Sequence, residues 1–266
     1  MTPAASLLFL AVSFSASVVG AICGIGGGVI IKPTLDLFGL ASVSTISFLS
    51  GCTVLSMSCY SVGKNLISGE SRVSMKTGTP LALGAAVGGV FGKQLFSIIK
   101  ELFSNADTVG AVQAACLAAI TLGTMLYTIF KARIKTYQIE SVSLCVAIGF
   151  VLGILSSFLG IGGGPINLVL LYFFFSMDTK TAAENSLYII LFSQIASLAT
   201  TLITKSVPDF NWAALLFMVC GGIGGGVVGR AVNRKINNEA VERLFVLLMA
   251  VIICISLFNA WRYSIG

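Results

Sequence analysis

Residues 23–33 read CGIGGGVIIKP, and residues 159–169 read LGIGGGPINLV. Each stretch packs four glycines into a run of five, inside some of the most apolar sequence in the chain. One glycine inside a helix costs about 1 kcal/mol relative to alanine. Several together interrupt the helix and leave N–H and C=O groups without intrahelical partners. The chain therefore carries two helix breaks, and the surrounding medium decides what they mean.

That medium is lipid. Apolar residues make up 56% of the 266 and charged residues 10%, with a mean hydropathy of +0.99. A soluble domain carries about a quarter charged residues, so this chain cannot cover a water-facing surface. Apolar runs of about 18 residues or more read as spanning helices. They fall at 4–23, 46–62, 78–99, 109–130, 142–159, 186–204, 212–229 and 244–261. Two shorter apolar pieces, 29–40 and 165–176, follow the glycine runs directly. At about 1.5 Å per residue they cross only part of a ~30 Å hydrocarbon core, as half-helices or re-entrant segments. The first basic residue is Lys32, so the N-terminus lacks the basic region of a signal peptide and reads as a retained helix.

The breaks belong to a duplication. Gly160 lies 136 residues beyond Gly24, and the same offset lays SFLSGCTVLSMS at 47–58 over AENSLYIILFSQ at 183–194, placing Ser50 on Ser186. An offset of 137 lays Gly84, Gly88, Gly92 and Lys93 over Gly221, Gly225, Gly229 and Arg230. The organisation expected is one transmembrane domain over 1–266, with repeat one at 4–130, a basic linker at 131–141 and repeat two at 142–262.

Charge sets the orientation, because cytoplasmic loops collect Lys and Arg. In copy one the basic loops hold Lys64, Arg72 and Lys76, then Lys131, Arg133 and Lys135. In copy two the matching loops exchange character. The loop after Thr204 holds only Lys205 and Asp209, and the next holds Arg230, Arg234, Lys235 and Arg243. The copies thus read as inverted repeats of four spanning helices plus one half-helix each. Inversion requires each first helix and its half-helix to form a hairpin, entering from opposite faces, with both termini outside.

Lipid cannot satisfy the polar backbone of a broken helix, so such a break lies in protein or beside a wet cavity. Broken helices meeting near the midplane aim N–H groups and a positive dipole end at an anion. The competing use of glycine is close helix approach. The Gly84/Gly88/Gly92 and Gly221/Gly225/Gly229 ladders read that way, since each forms one helical stripe. The GIGGG runs read as site-forming, since each coincides with a change from a long helix to a short one.

The paired GIGGG runs, each followed by a short apolar piece, a polar turn and a helix beginning TISFLSG or AENSLYI, resemble the sulfite exporter TauE/SafE family over nearly the whole chain. Pro33 lies five residues past Gly28, whereas Pro165 directly follows Gly164. The resemblance implies a multi-pass transporter of small sulfur-containing anions such as sulfite or organosulfonates.

The candidate binding residues are the backbone donors Gly26, Gly27, Gly28, Gly162, Gly163 and Gly164, with Lys32, Ser50, Asn167, Asn185, Ser186 and Gln194. Lys32 offers charge at depth, with Asp36 one turn on as its resting partner; the competing reading is an i,i+4 pair near the interface with the lysine snorkelling outward. Ser47, Ser50, Asn185 and Ser186 sit where a helix restarts, as caps or as ligand-facing groups. Gln194, which the offset lays on Ser58, either bonds across helices or lines the path.

With seven scattered cysteines, no CxxC and no histidine, no metal, disulfide or hydrolase constellation is expected. The expectation is a non-enzyme without cofactor, working through a small anion and the lipid bilayer of a bacterial-type inner cell membrane. Nucleic acid is not expected as a partner, and a homodimer is compatible with the sequence. No proton relay is evident. An inside-negative potential helps a monoanion outward by about 2.3 kcal/mol per 100 mV, which favours export. Two other functions are compatible with the same architecture: an anion channel and a non-transporting scaffold.

Overall fold

A computed structural model describes residues 3–69, 71–102, 106–161 and 163–265. Among them every regular element is helical: α1 (Pro3–Cys23), α2 (Gly28–Phe38), α3 (Val43–Ile67), α4 (Met75–Leu102), α5 (Ala106–Phe130), a 3₁₀ turn (Lys131–Arg133), α6 (Val142–Leu159), α7 (Pro165–Phe175), α8 (Thr179–Ile203), α9 (Trp212–Lys235) and α10 (Asn238–Ile265). Eight of these are long and apolar enough to cross a membrane, and α2 and α7 have 11 residues each. The chain is an all-α, multi-pass integral membrane protein.

The helices after the breaks start earlier than the apolar runs. Ser42 caps α3 by accepting from the Thr45 N–H at 3.2 Å. Asp178 caps α8, accepting from Lys180 at 3.1 Å and Thr181 at 3.3 Å. Ser47, Ser50, Asn185 and Ser186 therefore lie a turn or more inside their helices and are not caps. An apolar-run reading starts α8 too late, because Thr179 to Glu184 is polar yet still helical.

Helices of the first half pair with helices of the second. α1 packs on α9 and α6 packs on α4, while α3 meets α8 and α5 meets α10. The glycine ladders make the first two pairings intimate. A Cβ on Gly84, Gly88 or Gly92 would lie 2.2, 2.0 or 2.4 Å from the carbonyl oxygens of Val146, Phe150 and Ile154. On Gly221, Gly225 or Gly229 it would lie 2.9, 2.4 or 2.4 Å from those of Leu10, Phe14 and Val18. Backbone thus rests on backbone, which only glycine permits. Residue numbers rise together along both contacts, so each of these two pairs runs parallel.

α3 and α8 run in opposite directions. Ser47 and Gly51, early in α3, share a cavity with Gln194 and Thr201, late in α8. Ser61 and Asn65, late in α3, share another with Lys180 and Ala183, early in α8.

The half-helices turn back toward the end where each preceding helix began. The Tyr137 and Ile139 N–H groups donate to Phe173 and Phe174 carbonyls at 2.8 and 3.0 Å, tying the end of α7 to the segment that enters α6. In the other copy, the Thr45 hydroxyl donates to the Asp209 carbonyl at 2.9 Å. That holds the start of α3 beside the start of α9, the end from which parallel α1 also begins. Basic side chains collect at the opposite end, where Lys76 pairs with Glu140 at 3.4 Å and Lys131 pairs with Glu242.

Candidate functional site

The two breaks share the turn that ends the long helix and differ after it, Gly27 having a φ of −65° where its counterpart Gly163 has 135°. Gly24 and Gly26 take φ of 74° and 69°, and Gly160 and Gly163 take 65° and 135°. This is the left-handed region where glycine is the ordinary choice. The last turn of α1 closes through Ile25 N–H to Gly20 O at 3.1 Å, and that of α6 through Ile161 N–H to Ser156 O at 3.3 Å, positions related by the same offset. A Cβ on Gly24 would fall 2.2 Å from Ala183 Cα, and one on Gly160 would fall 2.6 Å from Ser47 Oγ.

The breaks touch. A Cβ on Gly28 would stand 2.0 Å from the Ile161 carbonyl oxygen. Gly26, Gly27 and Gly28 are buried, and their N–H groups find no acceptor among the described residues. The same holds for Gly163 and Gly164, both buried. Gly162 lies outside the described residues. The start of α2 thus offers unpaired donors and a positive dipole end.

Lys32 projects inward, not toward the interface. It is 4% exposed and Asp36 6%. Its ammonium lies 3.4 Å from Asp36 Oδ2 and donates to Gln113 Oε1 at 2.9 Å. Gln113, 2% exposed on α5, donates in turn to the Phe158 carbonyl at 2.5 Å, at the end of α6. A Cβ on Gly160 would meet the Lys32 side chain at 3.5 Å. The charge carried by the first half-helix is therefore delivered to the second break. Among the described residues Asp36 Oδ1 has no hydrogen-bond partner, and Arg262 of α10 donates to the carbonyls of Asp36 and Leu37 at 3.4 and 2.7 Å.

Among the remaining candidates, Ser50 and Ser186 are fully buried with unpartnered hydroxyls, and Asn167 is buried with an unpartnered Oδ1. The Oγ atoms of Ser17, Ser47, Ser156 and Ser157 are also without partners among the described residues. Such groups cost about 1–3 kcal/mol each unless water or ligand satisfies them, so this is polar lining rather than finished core. Asn185 is different. Its amide donates to the carbonyls of Arg72 and Thr181 at 3.2 and 2.9 Å and accepts from Ser74 N–H at 3.3 Å. It tethers the segment before α4 and is not free for a ligand.

Gln194 lines a cavity of about 20 Å³ with Gln113, Lys93, Ser47, Ser157 and Gly160. That is room for about one water molecule. The cavity lies against the second break. A larger cavity of about 260 Å³ approaches the first, lined by Arg72, Lys180, Arg230, Arg234, Asn233 and Ala183 among others. Among the described residues no three His, Cys, Asp or Glu side chains come together as a metal-ligand set.

Sequence reasoning did not find Gln113, an isolated amide 81 residues from Lys32. Nor did it assign Arg72, Lys180, Arg230 and Arg234 to one chamber, since three separate segments contribute them. The repeat offset was the available signal: it maps Ala21, Ser61 and Ala183 of the larger cavity onto Ser157, Ser197 and Ser47 of the smaller.

Comparison with known proteins fits this arrangement. The model of a family described as Sulfite exporter TauE/SafE matches residues 9–256. The "Probable membrane transporter protein YunE" of Bacillus subtilis (strain 168) is 25% identical over 271 residues, covering 93% of this chain and 96% of that relative. No solved structure matches.

Proposed function

The chain belongs to the sulfite exporter TauE/SafE family, and on that premise we propose that it carries small sulfur-containing oxyanions, sulfite or organosulfonates, outward across the cell membrane. The two halves act as inverted repeats whose hairpins enter from opposite faces, with the basic end in the cytoplasm. The substrate binds where the breaks meet, taken by the N–H groups of Gly26 to Gly28 and by Lys32. In the unloaded site Asp36 balances the Lys32 charge, and the arriving anion replaces it as the partner of the ammonium.

The observation that carries this reading is Lys32. A lysine 4% exposed in a membrane protein, held by one carboxylate and an amide against a glycine break, is costly without a ligand to serve. Alternating access is supported by cavities that approach the two breaks from opposite ends: about 260 Å³ toward the first, and about 20 Å³ against the second, which shares Lys93 and Phe96 with one of about 440 Å³.

The test is tracer flux in proteoliposomes with sulfite, sulfate, taurine and sulfoacetate, with and without an imposed potential. Saturable flux of sulfite or an organosulfonate, accelerated by a potential negative on the side of departure, is expected. Large single-channel currents would point to a channel instead. Absence of flux for all four anions would remove this substrate class.

A further inference from the structure

The larger cavity is not explained by a central site. Arg72 enters it from the segment before α4, Lys180 from the start of α8, and Arg230 and Arg234 from the end of α9. Clustering of cations in cytoplasmic loops is ordinary, but these four surround one chamber that reaches Ala21 and Ala183, and Ala183 abuts Gly24. Glu184 also lines the chamber and pairs with the Arg72 guanidinium at 4.0 Å, so it offsets one of the four charges and leaves a net positive lining. Glu184 accepts from Arg72 N–H at 2.9 Å, and Asp178 caps α8.

The duplication supplies an internal control. Under the offsets of 136 and 137, Lys180 falls on Ser44, Arg72 on Asp209, Arg230 on Lys93 and Arg234 on Ser97. Four cations and the carboxylate of Glu184 line one mouth; at the other the counterparts of the four cations are one cation, one carboxylate and two serines, with Lys100 as a second cation. Ser44, Lys93 and Ser97 line the opposite cavity, of about 440 Å³, together with Lys100, and Asp209 lies in the neighbouring one. The two entrances carry unequal charge, strongly positive at one and weakly so at the other.

We propose that the basic vestibule formed by Arg72, Lys180, Arg230 and Arg234 is a capture site for small oxyanions, making the transporter kinetically asymmetric. This rests on the transport reading above and adds a second binding station and a sidedness to it. The vestibule does no pumping, since charges fixed in the protein leave the overall equilibrium unchanged. It lowers the half-saturating concentration at the basic face and slows release back to that face. Anions entering from the other mouth meet little net charge and require higher concentrations. Because the chamber is solvent-connected, the effect is screened, with a Debye length of about 8 Å at physiological salt.

The experiment measures saturation of radiolabelled sulfite and methanesulfonate flux from each face of oriented proteoliposomes, with sidedness assigned by a C-terminal tag. Wild type is compared with Lys180→Ser/Arg234→Ser, which places the counterpart residues at the basic mouth. Wild type should half-saturate at lower concentration from the basic face, and the ratio between faces should shrink as salt rises. Removing two charges should raise the basic-face value about tenfold. The reverse graft, Ser44→Lys/Ser97→Arg, should lower the value at the other face, and Lys180→Arg/Arg234→Lys should behave as wild type. Saturable flux with equal half-saturation from both faces, or an asymmetry that survives the double serine variant, overturns the capture site and leaves transport standing. No flux of either anion in wild type overturns both.

Discussion

Replacing Gly28 with alanine tests whether contact between the two breaks is structural fact and functional need. The new methyl would stand 2.0 Å from the Ile161 oxygen, 2.7 Å from its carbon and 2.9 Å from Val54 Cγ2. Ordinary contact begins near 3.4 Å, so the breaks must part by more than an ångström, and backbone on both sides leaves no rotamer to yield. Overpacking of this kind costs about 1–3 kcal/mol, against a helix-propensity gain from Gly to Ala of at most about 1 kcal/mol. Gly63, inside α3, has nothing within 4 Å of an added Cβ, so Gly63→Ala isolates the propensity gain. At about 2–4 °C per kcal/mol for a chain of this size, Gly28→Ala should melt a few degrees below wild type in nanodiscs, and Gly63→Ala at or above it. Anion flux should fall in the first and persist in the second. Equal melting and equal flux for the two variants would refute the packing of the breaks described here.

Lys32→Met strands the Asp36 carboxylate in a buried site and should destabilise by about 3–5 kcal/mol; in Lys32→Met/Asp36→Leu, thermal unfolding should recover most of that loss while flux stays absent. Gln113→Leu cuts the link from Lys32 to the Phe158 carbonyl, and flux should drop with a raised half-saturating concentration, read from tracer uptake. Gly88→Ala would set a methyl 2.0 Å from the Phe150 oxygen, wedging α4 from α6 and lowering the melting temperature more than Gly123→Ala, which meets nothing within 4 Å. At Asp178 burial pushes the carboxyl up, but bonds from Thr181 and Lys180 and the charge of Arg72 outweigh it and hold the group below its ordinary 3.8. A depressed carboxyl stabilises above its unfolded value and loses that contribution as pH falls through the folded one. The stability gap between wild type and Asp178→Asn should therefore stay constant from neutral to mildly acidic pH and close only below about 3.8, as read from melting curves across pH.

The helices and the breaks are legible in the sequence because each is a local property. Apolar runs and glycine clusters need no knowledge of what packs against what. Even the use of the Gly84 and Gly221 ladders follows from spacing, since a stripe of small residues on one helical face has few other purposes. The limits of that reading appear at α3 and α8, where Ser42 and Asp178 start the helices before the apolar pattern begins, and at Asn185, whose amide holds a loop.

Only the tertiary structure decided where Lys32 points and what it reaches. An i,i+4 pair reads alike on an interfacial helix and a buried one. The difference lies in Gln113 and Phe158, brought to Lys32 by α5 and α6 from far along the chain. The basic vestibule is the same kind of fact, since its four cations come from three segments and only folding gives them a common cavity. Sequence periodicity reports how each helix meets an average apolar medium. A binding site depends on which particular atoms face one another, and that is set by long-range packing.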